Sequence, residues 1–150
     1  MNSLEEINNF LSAEKIAFFG VSSSGKKFSN EIYKTMIEKG YKLYPINPNS
    51  RNINGTECVE KFSDLKEDIK FGIFMTPKSI TKDLVSDAHS KGLEYIWIQP
   101  GSESLETLEF CENNNIKVIA NQCIFMYLER RKFPHNLHKF ILRILNKLPK

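Results

Sequence analysis

Only three cysteines and three histidines occur in the 150 residues. Cys58, Cys111 and Cys123 are scattered, odd in number and form no C-x-x-C pair, so reduced thiols in a cytosolic protein are expected. His135 and His138 stand at a helical i, i+3 spacing without a third ligand, and His89 is isolated, so no metal site is expected. No apolar run approaches the roughly 20 residues that a membrane-spanning helix needs. The first 15 residues show no basic segment followed by an apolar stretch, so no secretory signal is read and the expected compartment is the cytoplasm. A surplus of one charge is missing too: 21 Lys and Arg against 18 Asp and Glu leave +3, far from the balance of a polybasic nucleic-acid binder. Low-complexity segments, linkers and long-period repeats are absent, and the length reads as a single domain over residues 1–150.

What the chain does have is an apolar fraction of 41% with eleven Phe and five Tyr, enough for one core. Ser3 followed by Glu6 has capping-box spacing, and Leu4, Ile7, Phe10 and Leu11 repeat at helical intervals behind it. The compact run KIAFFG, residues 15–20, is too short for a helix and reads as a buried strand. Phe28, Ile32, Tyr33, Met36 and Ile37 then form a helical stripe that Gly40 closes. YKLYPIN, residues 41–47, is the next strand, ended by a run of turn residues through Glu57. A helical turn is expected within residues 61–68, strands over 69–75, 94–98 and 117–120, and helices carrying Ile80, Leu84, Val85 and Ala88 and then Leu105 and Leu108 between them. Two further helical segments are expected at 124–131 and about 135–148. Alternating strand and helix, with strands apolar throughout, predicts an α/β fold. It is a Rossmann-like, doubly wound, mainly parallel five-stranded sheet with helices on both faces.

The loop GVSSSGKKFSN, residues 20–30, has the G-x-x-x-x-G-K spacing of a nucleoside-triphosphate loop, but Lys27 stands where a Ser or Thr would hold magnesium. Read instead as a dinucleotide fingerprint, it lacks the acid expected about 20 residues on, because the second strand ends in Ile46-Asn47-Pro48. In such sheets ligands lie beyond the C-terminal strand ends. Those ends read Gly20-Val-Ser-Ser, Ile46-Asn-Pro-Asn, Met75-Thr-Pro-Lys, Gln99-Pro-Gly-Ser and Asn121-Gln-Cys, with no Asp, Glu or His; the closest acid is Glu103. Amides, hydroxyls and proline surface suit binding, whereas a hydrolase or phosphotransferase needs a tuned acid or base within reach. A tight Gly turn before a helix N-terminus, with the hydroxyls of Ser22 to Ser24 and the charges of Lys26 and Lys27, predicts an anion site for a diphosphate that needs no metal.

The ordered set of strand ends resembles the small single-domain CoA-binding proteins of the YccU type, and is similar to the N-terminal CoA-binding domain of the succinyl-CoA synthetase α subunit. The carriers are AFFGVS from Ala17 to Ser22, Lys27-Phe28, GYKLYPINP from Gly40 to Pro48, Ile53-Asn-Gly55, Thr76-Pro77, WIQPG from Trp97 to Gly101, and Asn121-Gln-Cys123. The resemblance covers roughly residues 16–129. It departs where the family has Asp-Arg-Cys or a near relative in place of Asn121-Gln-Cys123, and where Ser29 replaces a common glycine. It implies a protein that binds CoA or an acyl-CoA without catalysis. Gly20, Val21 and Ser22 would approach the diphosphate with Lys27 as its cation beside Phe28. Asn47 and Pro48 would border the adenosine, and Thr76 and Pro77 would close its other side. Arg51 is a candidate for the ribose phosphate, and Gly101 and Cys123 complete the expected set.

Two other classes compete with this expectation: a nicotinamide-dependent redox sensor or dehydrogenase-like module, and an enzyme using Cys123 as nucleophile in thiol or acyl transfer. The basic segment at 135–148 carries an apolar stripe that suits packing on its own sheet, with a homodimer or protein-partner contact, or weak contact with an anionic membrane, as alternatives.

Overall fold

A computed structural model of the protein describes residues 2–129. The segment expected as a helix at 135–148, with His135 and His138, lies outside the described residues, as does the last part of the 124–131 segment.

Five strands form one parallel sheet: β1 (Lys15–Phe19), β2 (Lys42–Ile46), β5 (Phe71–Phe74), β6 (Tyr95–Ile98) and β7 (Lys117–Ile119), in the order β2-β1-β5-β6-β7. The helices are α1 (Leu4–Leu11), α2 (Phe28–Glu38), α3 (Lys78–Ser90), α4 (Leu105–Asn113) and α5 (Ile124–Glu129). β1 is apolar throughout because both its faces are covered. Ile16 and Phe18 join Phe10, Ile32, Tyr33, Met36 and Phe125 of α1, α2 and α5 on one side. Ala17 and Phe19 join Val85, Ala88 and Cys111 of α3 and α4 on the other. β6 alternates in the same way, Trp97 facing the first group and Ile96 and Ile98 the second. Each of the large aliphatic and aromatic side chains removed from water here contributes about 1.5–3 kcal/mol. This is the fold expected from the sequence.

The two outer strands are finished differently. Pro45 sits inside β2, and only an edge strand tolerates a proline, since it has no N–H for a second neighbour. Its carbonyl faces outward and accepts from Val59 N–H at 3.2 Å, while Asn47 N–H bonds Val59 carbonyl at 2.9 Å, so a short stretch around Val59 covers that edge. At the opposite edge the Asn2 carboxamide imitates a peptide: Nδ2 donates to Val118 carbonyl (2.9 Å) and Oδ1 accepts from Ala120 N–H (3.2 Å). α1 begins at the expected capping box, Ser3 Oγ accepting from Glu6 N–H and the Glu6 carboxylate accepting from Ser3 N–H.

Two local expectations change, and the helical turn expected within residues 61–68 is present in a tighter form. The turn-rich run after β2 contains a hairpin, β3 (Asn52–Ile53) and β4 (Thr56–Glu57), joined by Asn54 and Gly55, both at positive φ. An Asn-Gly pair with that geometry is the favoured two-residue hairpin turn, and it carries Ile53 into the core. Residues 61–68 hold only a 3-10 turn, Phe62–Asp64. Ile80 and Leu105, taken as helix-face residues, are 46% and 74% exposed; Thr81 and Thr107 are buried in α3 and α4 instead.

β1 and β5 lie side by side, and the connections on either side of them run in opposite directions, which makes their C-terminal ends the topological switch point of the sheet. The chains leaving them nearly touch: a Cβ on Gly20 (φ 100°) would stand 2.1 Å from Met75 carbonyl oxygen. Gly101 has almost the same φ, 98°, but open space around it. Gly101→Ala is therefore expected to cost only the backbone term, about 1–2 kcal/mol. Gly20→Ala should cost clearly more in urea denaturation. Equal losses would mean that the two strand ends are not held in contact.

Candidate strand-end anion site

The loop leaving β1 is shaped by two asparagines from other elements. Asn47, at the end of β2, donates through Nδ2 to Val21 carbonyl (3.0 Å) and accepts at Oδ1 from Asn49 N–H (2.7 Å). Asn30, in the first turn of α2, accepts at Oδ1 from Ser22 N–H (3.3 Å) and donates through Nδ2 to Ser22 carbonyl (2.7 Å). The serines mostly close their own turn. Ser22 Oγ and Ser24 Oγ share a bond of 2.9 Å, Ser24 N–H donates to Ser22 Oγ, and Lys26 N–H to Ser24 Oγ.

α2 starts without a cap. Its N-cap position is Lys27, in extended backbone and with no side-chain hydrogen bond to the helix, whereas α1 and α4 are capped by Ser3 and Ser104. Among the described residues the backbone N–H groups of Ser23, Lys27, Phe28 and Ser29 have no hydrogen-bond acceptor. An uncapped N-terminus joins unpaired donors to the positive end of the helix dipole and suits an anion. The Lys27 side chain is exposed at that point. Phe28 packs its ring against Phe125 at 5.7 Å between centroids, which ties the start of α2 to the start of α5 and so to the Cys123 side of the site.

The other strand ends divide into surfaces that face outward and side chains already committed. Pro48 and Arg51 are exposed; Arg51 makes no ion pair among the described residues, and its carbonyl holds Cys58 N–H at 2.9 Å at the base of the hairpin. Thr76 is 7% exposed and shares a 2.7 Å bond with Thr81 Oγ1. Thr81 in turn donates to Pro77 carbonyl, so the Thr76 hydroxyl faces into α3, and Pro77 is what this strand end presents. Gly101 N–H is held by Glu103 Oε2 at 2.8 Å, so this acid closes its own turn after β6.

Cys123 is half-buried. Its neighbour is Gln99, whose Oε1 accepts from Ile124 N–H (3.0 Å), leaving Nε2 directed at Cys123 Sγ at 2.9 Å. Among the described residues the hydrogen-bond partner of this thiol is an amide. Gln122 is buried, its carbonyl accepting from Trp97 Nε1–H at 2.8 Å and its Oε1 from Tyr127 Oη–H at 2.7 Å.

The structure thus brings Gly20, Val21, Ser22, Lys27, Phe28 and Asn47 around one junction, with Thr76 and Pro77 across it. Gly101 follows the end of β6, in a turn closed by Glu103. Asn30 and Gln99 were not anticipated as site residues; Asn30 stands between Ser29 and Glu31 in the polar first turn of α2, and Gln99 directly follows the apolar strand β6, so neither carries a distinct sequence signal. A wide groove between α1, α4 and β7, lined in part by Phe10, Tyr95 and Ile119, runs along the sheet edge and includes none of the strand-end residues.

A parallel α/β sheet of this order, with an uncapped helix start and a glycine turn at its switch point, belongs to the class of folds that take phosphate-bearing ligands at the strand ends. The family within that class is shown by comparison: the CoA binding domain model matches residues 14–129, and the chain belongs to that family. It is 25% identical over 119 residues to an ADP-forming acetate–CoA ligase of Methanocaldococcus jannaschii, a match covering 74% of this chain and 17% of the ligase. The chain thus spans less than a fifth of that relative's length. Among solved structures, a conserved hypothetical protein of Pyrococcus furiosus superposes with a TM-score of 0.73 at 30% identity, covering 77% of this chain and 99% of that one. A hypothetical protein of Pyrococcus horikoshii gives a TM-score of 0.78 at 25% identity, covering 87% and 92%.

The three thiols differ enough in environment to be told apart. Cys58 and Cys111 are buried, and burial raises both thiols, Cys111 to about 11. Only the thiolate alkylates. Iodoacetamide on the native protein at neutral pH should therefore modify Cys123 first, as mapped by peptide mass. Comparable early labelling of Cys111 would contradict its burial on the inner face of α4.

Proposed function

We propose that this chain binds coenzyme A or an acyl-CoA at the C-terminal ends of β1, β2 and β5, and that it does so as a binding module without catalysis of its own. The observation that carries the reading is the uncapped start of α2 beside the Gly20 turn, in a chain of the CoA-binding domain family. The unpaired N–H groups of Ser23 and of Lys27 to Ser29, with the Lys27 ammonium, supply the diphosphate site. Pro48 and Pro77 offer apolar surface on either side for the adenine. Arg51, exposed beyond β2, supplies the charge for the ribose phosphate that distinguishes CoA from its dephospho form.

The chemistry of these strand ends supports binding more than turnover. The Glu103 carboxylate, after the end of β6, holds its own turn, and Cys123 faces an amide. The ligase activity named for the relative belongs to a protein of which this chain spans 17%, and it is not carried over. A nicotinamide site is disfavoured because β2 ends in Asn47-Pro48 and the Asn47 carboxamide is already engaged on both sides.

Titration calorimetry with CoA, acetyl-CoA, dephospho-CoA, NADH and ATP–magnesium tests this. CoA species should bind, with NADH and ATP–magnesium far weaker. Lys27→Ala should weaken every CoA species by about tenfold, or about 1.4 kcal/mol, without lowering the melting temperature. Arg51→Ala should weaken CoA while leaving dephospho-CoA unchanged. No heat and no thermal shift with any CoA species at millimolar levels would overturn the proposal.

A further inference from the structure

The strongest unassigned feature is the Asn30 carboxamide. Asn30 is 5% exposed, is the third residue of α2, and spends both ends of its amide on a single residue, Ser22: Oδ1 on its N–H and Nδ2 on its carbonyl. That reciprocal pair is what a neighbouring strand would offer to a peptide, supplied here by a side chain. Two consequences follow from the geometry. The Ser22 N–H is taken, so it is not among the donors open to an anion. The direction of the chain from Ser22 onward is fixed relative to α2 itself, because the clamp belongs to the same helix whose first N–H groups are unpaired. Asn47 holds the preceding carbonyl, Val21, from the other side.

We infer that Asn30 is a positioning residue for diphosphate recognition: its amide holds Ser22 so that the Ser23 N–H and the N–H groups of Lys27, Phe28 and Ser29 converge on one anion, with the Ser22 N–H excluded from the contact. This inference rests on the reading of the site as a CoA site. A neutral amide suits the place, since it satisfies a donor and an acceptor at once without setting a carboxylate beside a bound diphosphate. The Ser29 hydroxyl, though at the same helix start, is enclosed and has no hydrogen-bond partner among the described residues, so as placed it does not reach a ligand.

The test uses two ligands and two readouts. CoA carries a diphosphate; adenosine 3′,5′-bisphosphate keeps the adenosine and the ribose 3′-phosphate but has a single 5′ phosphate. Asn30→Ala should weaken CoA by about tenfold and the bisphosphate much less, so that the ratio of the two affinities collapses. Asn30→Asp, which keeps the shape and the acceptor but loses the donor and adds charge, should weaken CoA further. A general loosening of the fold would instead lower both affinities together, and that result would overturn the positioning role.

The second readout needs no variant. In amide NMR spectra of the unaltered chain titrated with CoA, the Ser23, Lys27, Phe28 and Ser29 amides should shift strongly and Ser22 weakly. The largest shift at the Ser22 amide would overturn the inference even if both variants failed to fold. Absence of CoA binding by the unaltered chain would overturn the functional reading, and this inference with it. CoA binding with an unchanged affinity ratio in Asn30→Ala would overturn the inference alone.

Discussion

The near-contact between the ends of β1 and β5 organises the rest of the molecule. Gly20 and Met75 lie so close that only a hydrogen fits between the glycine and the Met75 carbonyl. Met75 N–H meanwhile bonds Phe19 carbonyl at 2.9 Å. With the two strand ends fixed together, the chains leaving them must diverge, one toward α2 and one toward α3. The gap they leave is the switch point of the sheet. The Asn47 and Asn30 clamps hold one wall of that gap, and the Thr76–Thr81 pair locks the other to the first turn of α3. The site is therefore a product of strand pairing, with its rigidity inherited from the sheet.

Most of the architecture could be read from the chain because a sheet covered on both faces leaves a plain mark. Ile16 to Phe19 show no polar alternation since each side chain meets a helix on its own side. Pro45 even marks β2 as an edge. Ile80 and Leu105 show where periodicity misleads. Both sit in the first turn of their helices, and there the covered face is taken by Thr81 and Thr107, which are fully buried, so the apolar neighbours turn outward. The hairpin of β3 and β4 was legible in Asn54-Gly55. Its strands are two residues each, too short to show alternation, and the surrounding run of turn residues concealed them.

The site was legible at the level of backbone and only partly at the level of side chains. Gly20, Lys27 and Asn47 act through features a sequence displays: a turn that needs glycine, a helix start, a strand stop. Ser22, Thr76 and Gly101 carry polar groups that the structure turns on neighbouring residues of their own chain. Side-chain type tells what a residue can bond; which partner takes that bond depends on geometry. Asn30 and Gln99 are the converse case. Each is a buried amide whose importance lies wholly in a partner brought near by the fold, eight residues away in one case and 24 in the other.

These amides also explain why the site can be firm without being acidic. A loop that must present its N–H groups outward has to lose its carbonyls to something, or they compete with the ligand. A carboxylate cannot take a carbonyl, and it would repel a diphosphate: a unit charge about 8 Å from another costs about 2 kcal/mol at an effective dielectric near 20. A lysine could take the carbonyl but not the N–H. A carboxamide takes both and adds no charge. The Val21 and Ser22 carbonyls are each held by an asparagine amide, at 3.0 and 2.7 Å. What this loop leaves open, among the described residues, is the N–H groups of Ser23 and of Lys27 to Ser29 with the exposed Lys26 and Lys27 side chains, a composition suited to an anion with no metal partner.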